Sequence, residues 1–295
     1  MQNIPQHIKP DAADFRSVAR ALTLVENDLP GAGGLLKNLV FDKDVPIVGI
    51  TGPPGAGKST LVSSMIGQLL KKNIKIAVLA IDPTSPFNFG SLLGDRIRMG
   101  SHFNHPNVFI RSLATRGSLG GLSAKTIEMA DVLRAAGFDY IFIETVGVGQ
   151  SEVEIAGLAD ITFLVLVPES GDEIQIIKSG LMEIADAFVI NKADRAGAGV
   201  FVNNLKKIVG QRKEKHIRVF STVATCEQGI GEVVNYILSS PRRDHNLKEL
   251  LLTEKAYRLI RQKRMADVDK KALEQTIAAA MLKPGFNLYS FVAEF

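Results

Sequence analysis

The chain of 295 residues has no tryptophan and one cysteine, Cys226. A single thiol cannot form an internal disulfide, so a reducing compartment, the cytoplasm, is the simple expectation. No apolar run approaches the roughly 20 residues that span a bilayer. The opening MQNIPQHIKPDAADF has no apolar signal core, and its early Asp11 and Asp14 run against a transit peptide. No basic run is interleaved with aromatic residues, and no amphipathic tail carries a Trp anchor. Nucleic-acid binding and membrane targeting both lose their usual signals. The formal charge of +4 does not restore them. Pro241–Lys271 holds 10 Lys/Arg against 5 Asp/Glu, which leaves the rest of the chain slightly acidic. Such a run reads as a solvated helix face.

What is present is enough apolar residue, 46%, to bury a sizeable core. The N-terminal stretch to about Leu39 reads as helical, with Phe15, Val18, Leu22 and Val25 at helical spacing and a break at Leu29–Gly34. The chain then alternates. Strands are expected at Ile47–Thr51, Ile76–Ile81, Val108–Leu113, Tyr140–Glu144, Ile161–Val167, Phe188–Asn191 and Val219–Thr222. Helices are expected at Lys58–Lys72, Ala124–Ala136, Asp172–Ala185, Val200–Val209 and Gly231–Ser239. That alternation predicts an α/β fold, a mostly parallel sheet flanked by helices on both faces. After Asn246 only amphipathic helices follow, closed near Pro284 and Gly285. Three segments result: 1–42 helical, 43–240 the sheet-forming domain, 241–295 a helical extension.

Gly52, Pro53, Pro54, Gly55, Ala56, Gly57, Lys58, Ser59 and Thr60 spell the pattern G-x-x-x-x-G-K-[ST]. The stretch follows a strand and opens a helix, the context a phosphate-binding loop requires. Glycines let backbone N–H groups approach phosphate oxygens, and the helix N-terminus adds partial positive charge. Lys58 would reach the β- and γ-phosphates and Ser59 would bind Mg²⁺. A phosphate-bound Mg²⁺ takes oxygen ligands and keeps waters, which need carboxylates behind them. Glu144, at the end of "YIFIE", is the first such carboxylate. Asp82 ends "KIAVLAID", and Asp95 lies in "GSLLGDRIRMG" with Arg96 and Arg98 beside it. A plain solvent role for Asp95 and Arg96 is the competing reading.

"FVINKAD" sets N-K-x-D at a strand end. Asp194 can accept from both N1–H and the exocyclic amine of guanine, a donor pair adenine lacks. Asn191 would buttress the loop and Lys192 would lie along the base. Downstream, Val223, Ala224 and Thr225 would offer backbone N–H groups to the guanine oxygen. GTP/GDP with Mg²⁺ is therefore the expected ligand. A nickel-type metal-insertion GTPase is a rival reading, but it needs soft or imidazole ligands, and only His102 and His105 lie close together. A small-molecule kinase would need to tolerate ATP, which Asp194 disfavours.

The stretches "DPTSPFNFGSLLGDRIRMG", "TRGSLGGLSAKT", "ETVGVGQSE" and "GDEIQIIKSGLMEIADAFVINKAD" resemble, in order, the MeaB/ArgK family of methylmalonyl-CoA mutase-associated GTPases. The resemblance implies a SIMIBI-class P-loop GTPase that acts as a chaperone. It would gate adenosylcobalamin loading onto a cobalamin-dependent acyl-CoA mutase and protect that enzyme. It also implies three switch segments: Asp82–Met99, Glu144–Glu154 with Gly147 at the nucleotide, and Glu169–Lys178. A homodimer through the C-terminal helices is implied as well. An older family label, a kinase of amino-acid transport, travels with the resemblance. This chain departs from the family pattern at Phe89, where Gly is usual, and at Val223, where Ser is usual. Its Pro168–Asp172 stretch also carries an added Glu169. No catalytic Gln stands beside Gly147; Gln150 is three residues away.

Overall fold

The computed structural model describes residues 8–82, 99–114, 124–145, 155–168, 185–210, 217–240, 245–282 and 285–293. The chain divides into two compact units, Met1–Leu251 and Leu252–Phe295.

In the first unit, seven parallel strands are found among the described residues. They are β1 (Ile47–Thr51), β2 (Ile76–Asp82), β3 (Val108–Ala114), β4 (Tyr140–Thr145), β5 (Ile161–Leu166), β6 (Ala187–Ile190) and β7 (Arg218–Ser221). Their order is β3–β2–β4–β1–β5–β6–β7. Each has a neighbour in parallel register, for example Ile50 beside Glu144 and Val48 beside Ile161. β1 and β5 are buried along their whole length, which explains their unbroken apolar sequence.

The period of two in each strand divides the core by face. Val48, Ile50, Val78, Phe142, Phe163 and Val165 point to one side. There they pack on α3 (Lys58–Leu70) and α6 (Ile230–Ser239) through Leu61, Met65, Ile66 and Val233. Ile47, Ala77, Leu79, Ile141 and Ile143 point to the other side, against α1 (Phe15–Glu26) and α4 (Ala124–Ala136). Leu164, Phe188 and Ile190 meet α5 (Ala198–Gly210). The helical start is thus part of the domain's core: Val18, Ala21, Leu22 and Val25 are fully buried. An ion pair from Arg111 to Glu26 (2.6 Å) fastens α1 to β3. Lys125 joins Asp28 and Glu128 at the start of α4. The break after α1 is shorter than the sequence suggested, because α2 (Ala32–Lys37) resumes inside "LPGAGG". The predicted helix Asp172–Ala185 lies outside the described residues up to 184.

The amino-terminal edge of the sheet repeats one device. Asp139, Asp160 and Asp186 each stand directly before a strand. Each donates its N–H to the carbonyl of a residue at the start of the adjacent strand: Lys75, Ile47 and Thr162, all at 2.8 Å. Each carboxylate accepts the N–H of that same residue, at 2.8, 2.7 and 2.8 Å. A backbone N–H at or beside the start of each of these strands is thereby satisfied.

In the second unit, which begins within α7 (His245–Arg264), follow α8 (Lys270–Met281) and α9 (Leu288–Val292). Asp269 caps α8 by accepting from Lys271 and Ala272 N–H, and these bonds hold its carboxyl below the usual range. Among the described residues no helix is long and apolar enough to cross a membrane.

Asp139 offers a test of the edge device. Burial alone would raise its carboxyl, but the Lys43 ammonium (2.7 Å) and the Lys75 N–H overcome that and hold it below the usual carboxylate range. A depressed folded-state pKa stabilises above the unfolded value and is lost as pH falls through the folded one. Asp139→Ala is expected to cost about 1 kcal/mol at neutral pH. In urea titrations the gap between variant and parent should close as pH drops below the ordinary Asp value; a gap that is constant down to pH 2 would contradict this.

Candidate functional site

The sheet order reverses at β1. From there β2 and β3 lie to one side, and β5, β6 and β7 to the other. Ligands of open α/β sheets bind beyond the carboxyl ends of the strands at such a point. The phosphate-loop pattern leaves β1 there.

Its two fixed glycines are each required by a close approach. Gly52 has φ +141°, and a Cβ on it would lie 2.1 Å from the Val165 carbonyl oxygen of β5. Gly57 has φ +84°, and a Cβ would lie 2.4 Å from Asn191 Nδ2. Between them Pro54 and Gly55 are exposed while Ala56 is buried. Lys58 opens α3, and its buried ammonium donates to the carbonyls of Gly52 (2.8 Å) and Pro53 (3.0 Å). Ser59 follows, also buried, with Thr60 half-buried behind it.

Ser59 Oγ donates to Glu144 Oε1 at 2.6 Å, within the range for a hydroxyl on a carboxylate. Glu144 is 4% exposed and sits beside Ile50 across the β4–β1 register. One residue on, the Thr145 hydroxyl donates to the Thr51 hydroxyl at 2.9 Å. The roots of the phosphate loop and of the segment after β4 are thus joined twice. A hydroxyl and a carboxylate at a helix N-terminus form an all-oxygen donor set, which suits a hard divalent cation. Asp82 closes β2 at the same edge of the sheet. Asp95 and Gly147 lie outside the described residues. So do Arg96, Arg98, Phe89 and Gln150, the interior of the first expected switch, most of the second and all of the third.

The predicted base loop converges on the same point. Asn191, buried just after β6, donates from Nδ2 to the Ala56 carbonyl at 2.9 Å. Its Oδ1 accepts from the Thr222 hydroxyl and the Ala224 N–H, both at 3.2 Å. Lys192 takes a left-handed backbone (φ 56°) and donates to the Gly55 carbonyl at 2.8 Å. Asp194 is exposed. The trio Val223, Ala224 and Thr225 is narrower in role than the sequence suggested. Val223 N–H is donated to the Gln228 carbonyl at 3.1 Å, and Ala224 N–H to Asn191. Thr225, in a short 3₁₀ turn over Ala224–Cys226, is the exposed member.

The histidine pair has structural partners. His102 Nε2 lies 3.0 Å from the Ser63 carbonyl; a carbonyl only accepts, so that nitrogen carries the proton. His105 Nδ1 accepts the Asn107 N–H at 3.1 Å. Among the described residues no group of three His, Cys, Asp or Glu is gathered as for a metal ion. Sequence reasoning overlooked Thr51, Thr145, Thr222 and Ser64, whose hydroxyls tie the site's segments together. Their only signal was position: each lies at a strand end or, for Ser64, nearly two turns into α3.

Comparison with known proteins agrees with this geometry. The family described as "Methylmalonyl Co-A mutase-associated GTPase MeaB" matches residues 18–281. A protein of Pyrococcus horikoshii, provisionally named a GTPase, is 50% identical over 227 residues, 75% of this chain and 72% of its own. A fused isobutyryl-CoA mutase of Geobacillus kaustophilus is 40% identical over 198 residues, 63% of this chain and 18% of that protein. The crystal structure of a LAO/AO transport system kinase shares the fold, with a TM-score of 0.64 at 23% identity, covering 96% of this chain and 92% of the other. A match over most of the chain, with the phosphate loop and N-K-x-D meeting at one sheet edge, leads to a plain conclusion: this chain belongs to the MeaB family of methylmalonyl-CoA mutase-associated GTPases and is a P-loop hydrolase acting on GTP.

Proposed function

We propose that the chain is a GTP-driven switch that serves a cobalamin-dependent acyl-CoA mutase, gating adenosylcobalamin loading and protecting the enzyme. The observation that carries the partner is the fused relative, in which a stretch like this one shares a polypeptide with isobutyryl-CoA mutase. Tethering raises effective concentration to the millimolar range, which is useful where two modules work on each other.

In this reading Lys58 and the loop amides hold the triphosphate, and Asp194 reads the base. Ser59 and Glu144 hold Mg²⁺, with Asp82 and Asp95 as further carboxylates. When bound, the ion neutralises charge on the β- and γ-phosphates. The Ser59–Glu144 bond supports this assignment, because it aims a hydroxyl oxygen and a carboxylate at one point beside the helix N-terminus. The exposed apolar residues of the Leu252–Phe295 unit, among them Tyr257, Ile260, Met281 and Tyr289, support self-association.

Three outcomes are expected. Glu144→Gln should weaken Mg²⁺ support of nucleotide binding roughly 10- to 100-fold, read from GDP release rates during a Mg²⁺ titration. Immobilised protein should retain a cobalamin-dependent mutase differently when loaded with a non-hydrolysable GTP analogue and with GDP. Equal retention ends the gating reading, and no retention of either methylmalonyl- or isobutyryl-CoA mutase ends the partner reading. Light scattering should give a dimer that Leu282→Glu, at a side chain 88% exposed, shifts toward monomer.

A further inference from the structure

Ser64 lies on α3, one turn beyond Thr60 and on the helix that begins with Lys58. Its hydroxyl has two acceptors within reach: the Ala224 carbonyl at 2.7 Å and the Thr60 carbonyl at 3.0 Å. A hydroxyl has one hydrogen, so the two compete. The bond to Thr60 is the ordinary local contact of a helical serine. The bond to Ala224 is shorter and crosses 160 residues of chain.

That longer-range bond fixes a peptide plane. No cis peptide occurs among the described residues, so the Ala224 C=O and the Thr225 N–H point in opposite directions. Ser64 draws the carbonyl toward α3. The Thr225 N–H is therefore turned away from α3, at a residue that is exposed while Ala224 is buried. The preceding peptide is fixed from the other end, because Ala224 N–H is donated to Asn191 Oδ1. Val223 N–H is committed to Gln228. The Ala224 carbonyl also accepts the Glu227 N–H, at a longer 3.4 Å. The trio thus contributes one outward amide, and the shorter of the two bonds that set its aim comes from a side chain on the phosphate-binding helix.

We propose that Ser64 is a positioning residue for base recognition: by holding the Ala224 carbonyl it directs the Thr225 N–H at the 6-oxygen of guanine. The inference rests on the reading of Asp194 and this loop as the guanine site. It gives α3 a part at both ends of the nucleotide.

The test compares GDP, inosine diphosphate and 2-aminopurine riboside diphosphate by calorimetry, with the parent chain, Ser64→Ala and Ser64→Thr. Inosine keeps the 6-oxygen without the exocyclic amine, and 2-aminopurine keeps the amine without the oxygen. Ser64→Ala is expected to weaken GDP and inosine diphosphate by the same factor, roughly 3- to 10-fold, as for one lost hydrogen bond. It should leave the 2-aminopurine nucleotide unchanged, and Ser64→Thr should restore the loss. Unchanged GDP affinity in Ser64→Ala overturns the proposal. So does an equal loss for all three nucleotides, the mark of a merely structural serine. A parent chain that binds GDP no better than the 2-aminopurine nucleotide overturns the guanine-site reading itself, a separate failure visible before any variant is made.

Discussion

Asn191 is a single buried carboxamide shared by three segments that are far apart in sequence. Its Nδ2 holds the Ala56 carbonyl of the phosphate loop, and its Oδ1 collects the Thr222 hydroxyl and the Ala224 N–H. It also occupies the space that a Cβ on Gly57 would need. The loops after β1, β6 and β7 therefore share one hub. The parallel order of the sheet makes this possible by bringing every strand's carboxyl end to one edge.

That edge and the opposite one use acids differently. At the amino end, Asp139, Asp160 and Asp186 accept N–H groups at or beside the strand starts and fix where each strand begins. At the carboxyl end, Glu144 accepts from a serine hydroxyl and stands where chemistry on a triphosphate would occur. The first group rigidifies the scaffold. In the proposed switch, Glu144 belongs to the part that responds to a ligand.

Much of this was legible beforehand, and the reasons are particular. Ile47–Thr51 and Ala124–Ala136 match the sequence reading at both ends, and the other described strands agree within a residue at each end. Strand periodicity and apolar runs carry that information locally. The phosphate loop and N-K-x-D were visible because each packs its chemistry into a few consecutive residues. The direct side-chain bonds were not, although a shared Mg²⁺ does place Ser59 near Glu144. Those two are 85 residues apart, and Ser64 and Ala224 are 160 apart. Pairings of that kind follow from topology, which no local pattern states. The helix Leu288–Val292 was overlooked because it is one turn long. The inward use of the Val223 amide follows from a small bridge to Gln228, set by a turn whose Glu227 and Gly229 both have positive φ.

The 3₁₀ turn over Ala224–Cys226 ends in the chain's one cysteine, and its thiol is exposed. A maleimide dye added to the unmodified protein would therefore attach at a single known position, next to Thr225. Occupancy of the neighbouring loop could then be followed optically, by quenching or polarisation, without engineering a label into the molecule.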